Sequence, residues 1–359
     1  MISIKDKKLK KLISLISSEL SSDQRYQTFI NHGPLEINAF SITFLVSFKG
    51  LGGQNSVYIK IPKYIFYDKS IDFLSPISSS DRKLADNEIK SLQYLLICWN
   101  KSHQVSFVNH LVYIHEYNAI VTEQVFGSLL FEDYRQSDLL KKYKEPNSDP
   151  VMNGLCNFGK SLKLFHEKSS VSSIFKAQDV INKFDNYSIF LKSLGVSSKY
   201  LKSFFDIFIQ FADYECHTLT ANNLKGIDIR QIFNIDGRNL CVIDPGKLSS
   251  GYIEIDLARF IVTCRIIYWG TLRAFIRHTP HHSYEEKFLN GYFGADYSNS
   301  SILNILILKE FFKQWKVIHS ALSRRKWPFF IKYLVKKLYI DPFFKWQISQ
   351  ELKELKKCR

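Results

Sequence analysis

One β-hairpin set inside a helical stretch limits most strongly how this chain can fold. Residues 232–235 (IFNI) and 240–244 (LCVID) are rich in β-formers, and Asp236-Gly237 between them is a two-residue hairpin turn signal. On both sides the apolar residues recur at helical spacing. Leu155, Phe158, Leu162 and Phe165 lie on one stripe, further helices are expected through 175–215, and Ile253–Thr271, 283–293 and 302–322 read as helices after the hairpin.

The first third of the chain has a different rhythm. SITFLVSF (41–48) and SVYIKIPK (56–63) are strand-like around the turn cluster KGLGGQN (49–55). Residues 81–98 return to helical spacing, and LVYIHE (111–116) and AIVTEQV (119–125) read as strands joined at Tyr117-Asn118. Before them, Leu9, Leu12, Ile13, Ile16 and Leu20 form one helical stripe that is expected to dock on the body of the protein. The resulting expectation is an α+β bilobal fold. Its parts are an N-terminal helix (1–24), a β-rich N-lobe with one helix (25–125), a helical C-lobe carrying the hairpin (126–300), and a basic, aromatic-rich helical extension (301–359).

Composition narrows the functional classes. The chain has 359 residues, and 45% hydrophobic content excludes wholesale disorder. No apolar run approaches the ~18–20 residues needed to span a bilayer. The six cysteines form no Cys-x-x-Cys pair and no secretory leader is evident, so a reduced, cytoplasmic setting is expected. Lys+Arg number 49 against 34 Asp+Glu, a net +15. From Ser301 onward 14 Lys+Arg face 4 Asp+Glu, so +10 of that charge lies in the last 59 residues, interleaved with eleven aromatics. Such a segment suits an anionic partner (a membrane surface, a glycolipid, less readily nucleic acid), but aromatics at helical spacing are usually buried, which favours a helical layer with buried aromatics and solvated lysines.

Phosphoryl transfer from a nucleotide needs a lysine on phosphate oxygens and a carboxylate holding that lysine. It also needs a carboxylate for Mg²⁺ and another at the acceptor hydroxyl. Lys60 sits mid-strand in VYIKI, and Glu88 follows 28 positions later in the helix NEIKSLQYLL. Asp244 ends the apolar strand LCVI just before Pro245-Gly246, where an acid needs a partner such as a metal. Asp228 lies in the loop before the hairpin, and Asp256 opens the helix IEIDLARF. Singly, each reads as an ordinary surface, turn or helix-start residue; the ordered set is more specific. His278, His281 and His282 (HTPHH) read as a solvated cluster rather than metal ligands, and Ser249-Ser250 as turn formers.

In this order the motifs resemble the aminoglycoside phosphotransferase / choline kinase-like family, which has a protein-kinase-like fold. VYIKIPK is similar to its lysine strand, NEIKSLQYL to its glutamate helix, and VTEQVFGSLL to its hinge. FGKSLKLFHE, IDIRQIFNIDGRNLCVIDPGKLSSGYIEIDLARF and EKFLNGYFG complete the likeness, which covers about residues 30–295. The resemblance implies ATP and Mg²⁺ as ligands and a hydroxyl of a small molecule, sugar or glycolipid as acceptor, with surface-polysaccharide assembly as one setting. It places Lys60 on the α/β-phosphates, Glu88 beside it, and the backbone of Gln124 and Val125 at adenine. Asp228 becomes the catalytic base, Asp244 and Asn234 the metal ligands, and Asp256 the brace of the catalytic loop. The chain departs from the pattern in several places. The usual His-Gly-Asp is Gly226-Ile227-Asp228, Phe233 stands where asparagine is usual, with Asn234 one later, and no glycine-rich phosphate loop lies between the first two strands. These departures keep open the alternative of a pseudokinase, a nucleotide- or partner-binding scaffold.

Overall fold

The computed structural model describes residues 4–38, 40–63, 74, 78–99, 104–133, 150–224, 227–269, 281–295 and 300–357. Gly226 and His278 lie outside them. Helix α1 (Ile4–Leu20) precedes strands β1 (Thr28–His32), β2 (Glu36–Ile37), β3 (Ser41–Gly50) and β4 (Gly53–Pro62). Helix α2 (Ser79–Cys98) leads to β5 (Val105–Phe107), β6 (His110–Ile114), β7 (Ala119–Glu123) and β8 (Ser128–Leu129). Next come α3 (Pro150–Glu167), β9 (Val171–Lys176), α4 (Ala177–Ser193), α5 (Ser198–Phe208) and β10 (Glu215–Leu224). The hairpin is β11 (Ile232–Asn234) and β12 (Leu240–Val242). After it come β13 (Leu248–Tyr252), α6 (Glu254–Trp269), α7 (His281–Phe293), α8 (Ser301–Arg324), α9 (Phe329–Leu334) and α10 (Asp341–Lys357).

The chain forms two units: Met1–Leu129 with Gln231–Leu248, and Leu130–Arg230 with Ser249–Arg359. In the first, the main sheet runs β1-β3-β4-β7-β6, with β2 added on β3. Strand side chains alternate between faces. Val57, Ile59 and Ile61 of β4 therefore join Phe44, Val46 and the α1 stripe (Leu12, Ile16) in one core. Both α1 residues are fully buried, each contributing roughly 1.5–3 kcal/mol. The opposite face packs Ile120 and Tyr113 against Ala85 and Ile89 of α2. Lys60, one residue out of step with Ile59, belongs to this second face. A capping box starts α2: Ser78 Oγ accepts the Asp81 N–H and Asp81 Oδ2 accepts the Ser78 N–H. Asn118, in the left-handed region at φ 55°, donates to the carbonyls of Pro62 and Asp81, tying the end of β4 to the start of α2.

The hairpin belongs with this unit rather than with the helical part. β12 pairs in parallel with β5 and β11 pairs antiparallel with β8, making a second, four-stranded sheet. Its strands were legible, but their partners lie more than a hundred residues away.

The second unit is helical around a three-stranded sheet, β13-β10-β9. Helices α3 and α7 cross with their backbones in contact: a Cβ on Gly159 would lie 2.2 Å from the Phe288 carbonyl oxygen, and one on Gly291 equally close to that of Cys156. Phe158, Phe260 and Phe288 pack as a ring cluster at this crossing. The helical expectation for 175–215 holds for α4 and α5 but misses the sheet at either end. β9 and β10 pair from Val171↔Thr220 to Lys176↔Glu215. Their residues are largely polar, and few of them are buried, so hydrophobic alternation was too weak to mark them.

Candidate active site

Three side chains of the first unit converge although they lie far apart in sequence. Lys60 Nζ donates to Glu88 Oε1 at 2.8 Å and to Asp244 Oδ2 at 2.7 Å. Each arrives for a local reason. Strand alternation turns Lys60 to the α2 face, Glu88 lies one turn before the buried Leu92, and Asp244 emerges where β12 ends. Beyond Asp244 the chain turns at once: Gly246 adopts φ 66° and its N–H donates to Asp244 Oδ1 at 3.2 Å. The Leu248 N–H then donates to Ser91 Oγ of α2 at 3.1 Å, fixing the exit.

The electrostatics are those of one cation between two anions. Burial opposes the charge on Lys60, but Asp244 and Glu88 together outweigh it and raise its pKa. Burial pushes Glu88 up to about 7, against the pull of Lys60 and with a further push from Asp244. Glu88 is the enclosed partner, with an 11% exposed side chain; Asp244, at 31%, is the accessible one. The cluster thus sets two carboxylates against one lysine, and Asp244 is the one with access to solvent. That donor set fits Mg²⁺ with phosphate, which needs one or two carboxylates rather than a full protein cage. Among the described residues no group of three His, Cys, Asp or Glu side chains could hold a metal by itself.

Other expected residues are placed differently. Asn234, expected beside Asp244, sits at the turn end of the hairpin, in register with Leu240. Its Oδ1 accepts the Gly237 N–H at 2.7 Å, which stabilises the turn. The residue at the Asp244 end is Gln231, whose carbonyl accepts the Ile243 N–H at 2.9 Å. At the hinge, the Gln124 N–H donates to the Ser56 carbonyl at 3.2 Å, so that donor is spent within the protein. Val125 packs beside Leu92, Val108 and Cys241. The connection between β1 and β3 is tied down by the Gly33 N–H on the Leu45 carbonyl and by pairing of Glu36-Ile37 with Ile42-Thr43, and it carries Glu36 where a phosphate loop would carry glycines.

In the second unit, Asp228 is 4% exposed and Arg230 holds its carboxylate. The Arg230 N–H and Nε donate to Oδ1 at 2.8 and 3.1 Å, and Nη2 donates to Oδ2 at 2.5 Å. Such a fork fixes the carboxylate plane. Sequence reasoning did not single out Arg230, though its spacing two after Asp228 permits this turn. Asp256, 1% exposed, accepts the Leu224 N–H at 2.6 Å and pairs with His166 Nε2 at 3.3 Å. A carboxylate only accepts, so Nε2 donates; Nδ1 faces the Tyr292 hydroxyl at 2.7 Å. Asp256 therefore anchors the end of β10, from which the chain runs into Asp228. Ser249 and Ser250 lie within β13, not in a turn.

No protein-family model and no curated protein matches the sequence. Solved structures do match along nearly the whole chain. Choline kinase LicA from Streptococcus pneumoniae superposes with a TM-score of 0.51 at 12% identity, over 96% of this chain and 99% of that one. The aminoglycoside phosphotransferase APH(2'')-IIa, solved as a ternary complex with streptomycin and ATP, gives 0.51 at 13% identity over 88% and 93%. The phosphotransferase APH(4)-Ia, solved with AMP-PNP and hygromycin B, gives 0.52 at 10% identity over 94% and 97%. With a β-rich amino-terminal part and a helical carboxy-terminal part, the chain has the bilobal, kinase-like α+β fold of the choline kinases and aminoglycoside phosphotransferases.

Proposed function

We propose that the protein is an ATP-dependent phosphotransferase acting on a hydroxyl group of a small molecule. The observation that carries this is the grip of Glu88 and Asp244 on Lys60, two contacts spanning 28 and 184 residues that place a partly open carboxylate beside a half-buried cation. The shared fold with small-molecule phosphotransferases supports it.

Bound ATP supplies the transferable phosphoryl group, and Mg²⁺ the charge that offsets its oxygens. Lys60 exchanges one carboxylate for phosphate oxygens, while Glu88 keeps it in position. Asp244 and Gln231 are the residues that would hold the metal, and Asn234 keeps the hairpin turn. Asp228 would orient the acceptor hydroxyl and take its proton as the new O–P bond forms and the bond from the γ-phosphorus to the bridging oxygen breaks, with ADP as the leaving group, and Arg230 fixes the plane of the carboxylate. The net charge of +15 favours an anionic or neutral acceptor, such as a saccharide or glycolipid, over a polycation.

A second function keeps nucleotide binding without transfer. Glu36 in the β1–β3 connection and the double pairing of Lys60 favour it, since an acid near phosphate is repulsive and Lys60 must give up a partner. Thermal unfolding with ATP and Mg²⁺, on the wild type and on Asp244→Ala, tests the site. Saturation at 100 times Kd should add about 2.7 kcal/mol to the wild type and nothing to the variant. No shift in the wild type would refute the nucleotide site. A shift without ATP consumption across choline, neutral sugars and anionic saccharides would establish the scaffold instead.

A further inference from the structure

The basic C-terminal region divides sharply. Phe311, Phe312 and Trp315 of α8 and Phe343 and Phe344 of α10 are buried against one another, a helical layer with an aromatic core. The link between those helices is the opposite. Trp327 is 42% exposed, Phe329 84%, Phe330 66% and Tyr333 49%, and α9 contains no buried residue at all. At about 100° per residue, Phe329, Phe330 and Tyr333 share an arc of roughly 100° on α9. Exposed aromatics at this density on one helix face mark an interaction surface.

Its charge identifies the partner. Between Arg324 and Leu338 the chain has six Lys/Arg and no Asp/Glu. Among the described residues, Arg325, Lys326 and Lys332 have no carboxylate partner: Arg325 lies over the Trp327 ring at 5.0 Å, and Lys332 donates to the Ser323 carbonyl. Protein-binding patches are depleted in lysine at their centre, and a second copy of this face would repel it. Single-stranded nucleic acid is held in grooves whose walls stack on bases, whereas Phe329, at 84% exposed, is not enclosed by any wall. Aromatics ringed by lysines, with no acid among them, suit the boundary of an anionic bilayer, where rings enter the interface and cations meet headgroups.

We propose that the α8–α9 tip, from Arg324 to Leu338, docks the protein on an anionic phospholipid surface. Trp327, Phe329 and Phe330 enter the interfacial layer, and Arg325, Lys326 and Lys332 meet the headgroup charge. No described helix is long and apolar enough to cross a membrane. The docking does not depend on the kinase activity.

Sedimentation of the full chain with vesicles tests it. The protein should pellet with phosphatidylcholine vesicles containing phosphatidylglycerol, not with phosphatidylcholine alone, and added salt should release it. Lys326→Ala and Lys332→Ala should each weaken partitioning about fivefold. Phe329→Ser/Phe330→Ser should weaken it at least about tenfold. All four positions lie outside the core, so the thermal midpoint of each variant should match the wild type. Brominated lipid should quench tryptophan fluorescence in the wild type and distinctly less in Trp327→Phe. Failure to pellet with anionic vesicles, or equal binding by the Phe329→Ser/Phe330→Ser variant, would overturn the proposal. So would binding to an RNA oligomer in the absence of any vesicle binding.

Discussion

Lys60 lies between Glu88 and Asp244 in one unit, and Arg265 lies between Glu285 and Glu351 in the other. Both clusters place one enclosed cation against two carboxylates, yet they are built for different ends. Arg265 joins three helices: Nε and Nη2 fork onto Glu285 at 2.7 and 2.8 Å, and Nη1 donates to Glu351. All three of its side chains are at most 10% exposed. Guanidinium is planar and presents its donors in fixed directions, so this pairing has no alternative geometry. Lysine is a compact charge on a flexible stem, and one of its acids, Asp244, is open to solvent. Equal charge formulae thus yield a staple in one unit and, on the proposed function, an exchangeable contact in the other.

The largest effect that would break this comparison is a substitution of each cation. Arg265→Ala leaves two buried carboxylates unpaired and should cost about 3–5 kcal/mol in urea unfolding. Lys60→Ala should cost only roughly 1–2 kcal/mol, because Glu88 can take up a proton and Asp244 reaches water. It should nevertheless abolish stabilisation by ATP and Mg²⁺. Equal destabilisation by the two substitutions would show that the Lys60 cluster is also a staple.

A smaller effect concerns pH. Glu88 has a folded-state pKa of about 7 against an ordinary 4.5. Below pH 4.5 the carboxyl is protonated in both states and its contribution to stability is fully present. As pH rises toward 7 the unfolded chain loses that proton first, so stability falls across this window and levels off above it. Lys60, raised in the folded state, loses its contribution only in strongly alkaline solution. Glu88→Gln keeps an acceptor for Lys60 and cannot titrate, so it should flatten the decline between pH 4.5 and 7. An unchanged slope would place the titration elsewhere.

What the sequence could and could not show follows from the same physics. Alternation in VYIKI was enough to put Lys60 opposite the core, and an acid closing an apolar strand was enough to mark Asp244. The hairpin announced itself through Asp236-Gly237. Its partners did not, because pairing of β12 with β5 depends on tertiary contacts that no local pattern encodes. Pro-Phe-Phe makes the limit plain. It occurs at 328–330 and again at 342–344, with lysine and tryptophan nearby both times. The first pair of rings is 84% and 66% exposed and the second 2% and 1%. Helical spacing fixes which side chains share a face, but not whether anything covers that face. Polar strands such as β9 and β10 escape for the converse reason, being held by backbone pairing with little burial to mark them.

The finest test separates the two ends of the hairpin. Asn234 spends its carbonyl oxygen on the Gly237 N–H, whereas Gln231 is held by its backbone beside Ile243, next to Asp244. Asn234→Ala should therefore lower folding stability by about 1 kcal/mol, the worth of one turn hydrogen bond, and leave stabilisation by ATP and Mg²⁺ intact. Gln231→Ala should do the reverse: stability within about 0.5 kcal/mol of wild type, with about tenfold more Mg²⁺ needed for the same nucleotide-induced shift. Mg²⁺ titrations followed by thermal unfolding distinguish the two. If the Asn234 variant needed more metal and the Gln231 variant did not, the metal would be held at the turn end. The register of β11 on β12 speaks against that arrangement, because the Phe233↔Cys241 pair separates Asn234 from the Ile232↔Val242 pair, which itself lies two residues before Asp244.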